Sequence, residues 1–113
     1  MNYFEENSTR TLQLERVVDT AHPMYQKALE LYGVSFPRHE QRERTSQERI
    51  LRDGEYFFSL IHDGNVFVGL VLYWETEDFI YIEHLCILPE LRNHRYGQRA
   101  LSLIQEKQKT IIL

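Results

Sequence analysis

Residues 89–104 read Pro-Glu-Leu-Arg-Asn-His-Arg-Tyr-Gly-Gln-Arg-Ala-Leu-Ser-Leu-Ile and follow directly on an apolar run from Ile80 to Leu88. This order predicts a strand, a tight basic loop and an amphipathic helix with Tyr96, Ala100, Leu103 and Ile104 on one face. Arg92, Arg95 and Arg99 gather around the start of that helix together with several backbone N–H groups. A helix N-terminus carries unpaired donors and a partial positive charge, so the segment is suited to hold an anion.

The neighbouring segments extend the pattern. Tyr56 to Ile61 and Val66 to Tyr73 are apolar runs joined through Asp63-Gly64, a strong hairpin signal. Glu75 to Asp78 is the next turn, and Phe79 to Leu88 completes a three-strand meander. Near the start, Leu12 to Val18 reads as a strand. Pro23 opens a helix in which Tyr25, Ala28, Leu29 and Tyr32 recur at helical spacing until Gly33 stops it. Phe36 to Glu40 is a break. Thr45-Ser46-Gln47-Glu48 forms a capping box before a short helix to about Leu51, which Asp53-Gly54 ends. The helix Tyr96 to Lys107 then leads to Thr110–Leu113, the opening of a strand parallel to Phe79–Leu88. A strand, helix, strand unit of this kind crosses over with right-handed sense. The expected class is α/β, with a mixed, mostly antiparallel sheet flanked by helices.

A chain of 113 residues fits one domain. The formal charge of −4 disfavours nucleic acid as a partner, because the positive charge is local, at Arg92–Arg99 and between Arg38 and Arg52. A basic loop on an acidic protein suits a small polyanion. The single cysteine, Cys86, excludes an intrachain disulfide and points to a reducing, cytoplasmic location. The N-terminus carries Glu5 and Glu6 and has no signal-peptide pattern. The longest uncharged apolar stretch, Val66 to Trp74, is too short to span a bilayer, so no membrane partner is expected. The five histidines have no ligand spacing among themselves or with Cys86, so no metal site is expected.

The apolar strand, Pro89, Arg92, Gly97 and the helix behind them resemble the acyl-CoA-binding motif of the GNAT family of N-acetyltransferases. The family pattern is Gln/Arg-x-x-Gly-x-Gly/Ala, and it reads here Arg92-Asn93-His94-Arg95-Tyr96-Gly97. Arg95 stands where the family usually has its first glycine. The element order is similar to the GNAT fold over nearly the whole chain. The resemblance implies a single GNAT-like domain over 1–113 that lacks its C-terminal third, the sheet stopping after the start of its fifth strand. A homodimer, or completion by further chain, is expected at the edge around Ile111, Ile112 and Leu113.

The resemblance also implies an activity: transfer of an acetyl group from acetyl-CoA to a primary amine by direct attack. The amine belongs to a small molecule or a peptide; amino acid, polyamine, aminoglycoside, protein N-terminus and lysine stay open. The rival is a CoA-binding or assembly module without turnover. Arg92 and the loop Asn93, His94, Arg95, Tyr96, Gly97 and Gln98 would cradle the diphosphate. The alternative is an ordinary helix start with solvated arginines. Leu85, Cys86 and Ile87 would meet the pantetheine arm. Glu83 is the first candidate for general base and Tyr81 the second, at positions where family members place such groups. Period-two alternation expects Tyr81, Glu83, Leu85 and Ile87 on one strand face and His84 on the other. The alternative for Glu83 is a buried carboxylate bonded to a tyrosine or an arginine. Tyr73 is a further residue expected within reach of an acceptor. Residues 36–42 would form a wall of the acceptor groove, with Glu40 suited to an amine and Arg38 or Arg42 to a carboxylate; a solvated charged loop is the alternative.

Overall fold

A computed structural model describes residues 11–113. Glu5 and Glu6 lie outside the described residues. Five strands form one sheet in the order β1-β2-β3-β4-β5: β1 Leu12–Val17, β2 Tyr56–Asp63, β3 Val66–Glu75, β4 Phe79–Ile87 and β5 Thr110–Ile112. The first four pair antiparallel, and β5 lies parallel to β4. Helices α1 (Tyr25–Ser35) and α2 (Arg44–Ile50) cover one face, and α3 (Tyr96–Gln105) covers the other. This is the expected mixed, mostly antiparallel sheet flanked by helices.

The central strands read as near-continuous apolar runs because both faces are covered. Phe58, Leu60, Leu70, Leu72 and Cys86 enter the core under α1 and α2. Ile61, Val68, Val71, Tyr73, Ile80 and Ile82 enter the core under α3, with Ala100 and Ile104. Each fully buried large side chain contributes roughly 1.5–3 kcal/mol of transfer free energy. The hairpin turn follows its signal, with Gly64 at φ 62°.

Several local expectations fail for identifiable reasons. Gly33 does not end α1, which runs to Ser35. The stop comes from Phe36, held extended at φ −130° and ψ 144° ahead of Pro37, which disfavours helical backbone in the residue before it. The capping box does not form: α2 starts at Arg44 behind Glu43, with no side-chain cap. Gln47 is instead buried, 1% exposed, and its Nε2 donates to the Tyr56 hydroxyl at 2.8 Å. Burial against the sheet outweighs the local cap. The strand β1 stops at Val17, leaving Val18 exposed, and α3 ends at Gln105 rather than Lys107.

The largest correction concerns β4. Leu72 pairs with His84 but Tyr73 pairs with Ile82, so Glu83 is an extra residue, a β-bulge. The bulge shifts the alternation by one position. Tyr81, Glu83, Leu85 and Ile87 therefore do not share a face. Leu85 and Ile87 join Ile80 and Ile82 on the α3 side. Glu83 turns towards the connection between α1 and α2, and so does His84, whose ring meets Tyr32 at 5.1 Å and Phe36 at 4.4 Å. His84 packs on the helix layer as expected, but not on the face opposite Glu83.

Candidate functional site

The segment after β4 builds a concave end. A 3-10 turn at Pro89–Leu91 leads to Asn93 and Arg95, both in the left-handed region, at φ 72° and 64°. Arg95 is the N-cap of α3. The position where a glycine is usual is thus one where backbone geometry favours glycine. Arg99 N–H donates to the Arg95 carbonyl oxygen at 2.9 Å, so the N–H groups of Gly97 and Gln98 ahead of it have no helical acceptor. The Tyr96 hydroxyl donates to Asp63 Oδ2 at 2.7 Å and anchors the start of the helix to β2. Arg92 Nε donates to the Ile87 carbonyl oxygen at 3.3 Å.

Two concavities meet here. One, of about 550 Å³, is lined by Ile87, Leu91, Arg92, Asn93, Arg95, Tyr96, Gly97 and Gln98. The other, of about 390 Å³, runs past Leu85, Cys86 and Ile87 to Ser35 and Phe36. They share Ile87, Arg92 and Gly97. Nine of the ten residues expected to face a CoA are thereby brought to one cleft. The tenth, His94, lies beside it with its ring 6.1 Å from that of Tyr96. The cleft suits a long ligand with an anionic middle. A Cβ on Gly97 would meet only Leu85 Cδ2, at 3.8 Å. The missing side chain therefore keeps the cleft open rather than relieving a contact inside the protein. β5 pairs only with Phe79–Tyr81, so residues 82–87 have β3 as their one strand neighbour among the described residues.

Glu83 lies at the middle of β4, at the bulge. Both its oxygens are taken by Arg42: Nη1 to Oε1 at 3.0 Å and Nη2 to Oε2 at 2.8 Å. Their side chains are 19% and 23% exposed, so the pair is only partly withdrawn from water. The bond to Glu83 pushes the Arg42 guanidinium above its ordinary value. Arg42 also lies 5.6 Å over the Tyr56 ring, and its backbone N–H donates to the Tyr32 hydroxyl at 2.9 Å. This bidentate pairing is what the buried-carboxylate alternative expects. Sequence spacing gave no signal for it, because the partners are 41 residues apart. Tyr81 is half-exposed, on the Glu83 side, opposite Trp74 and Ile112. Tyr73 is buried on the α3 side and stacked on Phe57 at 4.9 Å, so it does not face the Glu83 side.

Two further groups are electrostatically quiet. Burial pushes the Cys86 thiol up, which disfavours a thiolate nucleophile, and burial pushes the His84 imidazole down, which favours its neutral form. Ser35 was not singled out in the sequence, and Gln47 only as part of a capping box, although each lines a concavity; Phe36, at the start of the expected acceptor wall, lines one too. The signal for Ser35 and Gln47 is tertiary only. Among the described residues no cluster of three or more His, Cys, Asp or Glu is arranged to hold a metal, and no helix is long and apolar enough to cross a membrane.

A mixed sheet with a basic, left-handed loop ahead of a helix is the arrangement that the element order led us to expect. Residues 7–110 match the acetyltransferase (GNAT) family, and the chain belongs to it. A putative GNAT-family acetyltransferase from Bacteroides thetaiotaomicron is 30% identical, with a TM-score of 0.80 over 88% of this chain and 57% of that one. The chain thus spans just over half the length of that relative. An aminoglycoside acetyltransferase from an uncultured soil metagenomic sample, solved with trehalose, shares the fold at 14% identity. Its TM-score is 0.62, over 90% of this chain and 75% of its own. N-acetylglutamate synthase from Neisseria gonorrhoeae, complexed with coenzyme A and N-acetyl-glutamate, shares it at 22% identity. The TM-score there is 0.55, over 86% of this chain and 22% of that one. Comparison with curated proteins gives no match.

Proposed function

We propose that this chain binds acetyl-CoA and belongs to an N-acetyltransferase that transfers the acetyl group to a primary amine by direct attack. The observation that carries the reading is the continuous cleft from Arg92–Gln98 to Ser35 and Cys86, kept open by Gly97. The N–H groups of Gly97 and Gln98, with Arg92 and Arg95, hold the diphosphate. Leu85–Ile87, which line the second concavity, pair through their backbone with the amide groups of the pantetheine arm. Glu83 takes one proton from the acceptor ammonium. The freed lone pair attacks the thioester carbonyl carbon; the C–N bond forms, the C–S bond breaks, and the second proton on nitrogen neutralises the departing thiolate. Glu83 then releases its proton to water. Orientation of the two reactants and backbone polarisation of the carbonyl supply most of the rate. The raised Cys86 thiol supports direct attack over an acyl-enzyme.

Thermal melting with acetyl-CoA tests the binding step, since a ligand of the folded state alone raises the midpoint. The expected result is a dose-dependent rise that is lost in Arg92→Ala combined with Gly97→Asp, which removes a phosphate partner and sets a carboxylate against the diphosphate. An unchanged rise in that double variant would overturn the assignment. The second reading, CoA binding without turnover, is favoured by the pairing of Glu83 with Arg42. Thiol release from acetyl-CoA with a panel of amines separates the two.

A further inference from the structure

The pairing of Arg42 with Glu83 raises a chemical difficulty. Arg42 takes one lone pair on each Glu83 oxygen, and at 19% exposure the carboxylate offers little open surface to a third partner. A simple amine would have to displace Arg42 and leave that guanidinium, 23% exposed, without its counter-charge. Losing one partner of a partly desolvated pair is costly. An acceptor that brings its own carboxylate removes the cost. Its ammonium pairs with Glu83, its carboxylate pairs with Arg42, and two ion pairs replace one.

The surroundings of Arg42 favour the same chemistry. Arg42 lines a groove of about 440 Å³ between α1 and α2, together with Arg38, Arg44, Glu30, Glu43 and Gln47. Glu48 accepts from Arg44 at 3.3 Å, whereas Arg38 makes no ion pair among the described residues. Gln47 is almost fully buried and its Oε1 has no partner. Beside Arg42, the groove thus offers the Arg38 guanidinium to a carboxylate. Glu83 does not line it, so Arg42 is the wall between groove and carboxylate.

We propose that the acceptor is an amino acid zwitterion, or a molecule with the same amine-and-carboxylate pair, and that Arg42 determines this specificity by exchanging Glu83 for the acceptor carboxylate. The inference rests on the acetyl-transfer reading and narrows its substrate class. Arg42 acts first as the latch that holds Glu83 and then as the carboxylate partner.

The test compares a panel of L-amino acids with their carboxamides, in the presence of CoA for binding and of acetyl-CoA for thiol release. At least one acid is expected to bind and react about tenfold or more better than its amide, the equivalent of one charge-assisted contact. Arg42→Gln should raise KM for the acid by a similar factor and, by removing the displacement, lower it for the amide, so that the preference for the acid collapses, with Arg42→Lys intermediate. Glu83→Gln, which keeps Arg42 but frees it, should bind N-acetyl amino acids more tightly than the wild type while losing turnover. A merely structural pair would not give that gain. Preference for amides or polyamines, equal loss for acid and amide in Arg42→Gln, or no tightening in Glu83→Gln would each overturn the proposal. If no amine supports thiol release although CoA binds, the acetyl-transfer reading fails. The binding comparison then still decides the zwitterion proposal, and failure of every acid to bind at millimolar concentration overturns it.

Discussion

Gly97 shows how one residue separates stability from function. It is the second residue of α3, and a Cβ there meets nothing closer than Leu85 Cδ2 at 3.8 Å. Gly97→Ala should therefore leave the fold intact, or stabilise it by about 0.4–1 kcal/mol by restricting the unfolded chain. The same methyl group intrudes on the cleft, so the rise in melting temperature with acetyl-CoA should shrink sharply. Melting the variant with and without ligand checks both halves; a destabilised protein with normal binding would show Gly97 to be structural. Gly69 is the opposite case, because a Cβ there would run into the Cys86 carbonyl oxygen and crowd Ile87. Arg95 carries the local cost of its motif position. At φ 64° a non-glycine residue is strained by about 1 kcal/mol, so Arg95→Gly should melt no lower than the wild type.

Elements join through a few long-range polar contacts, and Glu75 is one whose pH dependence is readable. Lys107 Nζ donates to its Oε1 at 2.6 Å and Lys109 Nζ to its Oε2 at 2.8 Å, tying the connection between α3 and β5 to the end of β3. Burial alone would push the Glu75 carboxyl up, but the bonds from Lys107 and Lys109 outweigh it and hold it below the ordinary carboxylate value of 4.5. A carboxyl lowered by folding stabilises above its unfolded value and loses that stabilisation as pH falls through its folded one. Glu75→Gln should therefore cost on the order of 1 kcal/mol at neutral pH. Denaturant titrations should show the deficit closing as pH drops below 4.5. A deficit independent of pH would mean that shape, not charge, is lost. This scale also marks what was legible in the sequence. The element order, the Asp63-Gly64 turn and the parallel β5 follow from hydrophobic period and turn chemistry, which are local. The bulge at Glu83 was not legible, because alternation in an apolar strand looks the same with or without one extra residue. The burial of Gln47 and the Arg42 partnership were hidden too, since local cap and loop signals compete with contacts that only the folded sheet supplies.

At the scale of the whole molecule, the sheet is shared by two apolar layers. Within β3 alone, Leu70 and Leu72 enter the layer under α1 and α2, while Val68, Val71 and Tyr73 enter the one under α3. Neither layer keeps its packing if the strands separate, so the two should unfold as one cooperative unit. The single tryptophan makes this testable. Trp74 packs with the α1 and α2 layer, with its ring 4.8 Å from that of Tyr56, whereas Ile104 is fully buried on α3 in the other layer. Ile104→Ala should destabilise by about 2–5 kcal/mol through lost burial and a residual cavity. If the sheet couples the layers, the denaturant midpoint seen by Trp74 fluorescence falls as far as the one seen by far-UV circular dichroism. If the α3 layer melts by itself, fluorescence keeps the wild-type midpoint while the helical signal shifts. The distinction reaches the proposed site, because the cleft takes Gly97 and Gln98 from one layer and Ser35 and Phe36 from the other. A ligand bridging them should raise both midpoints by the same amount in a coupled protein, and should restore coincidence in a variant that had lost it.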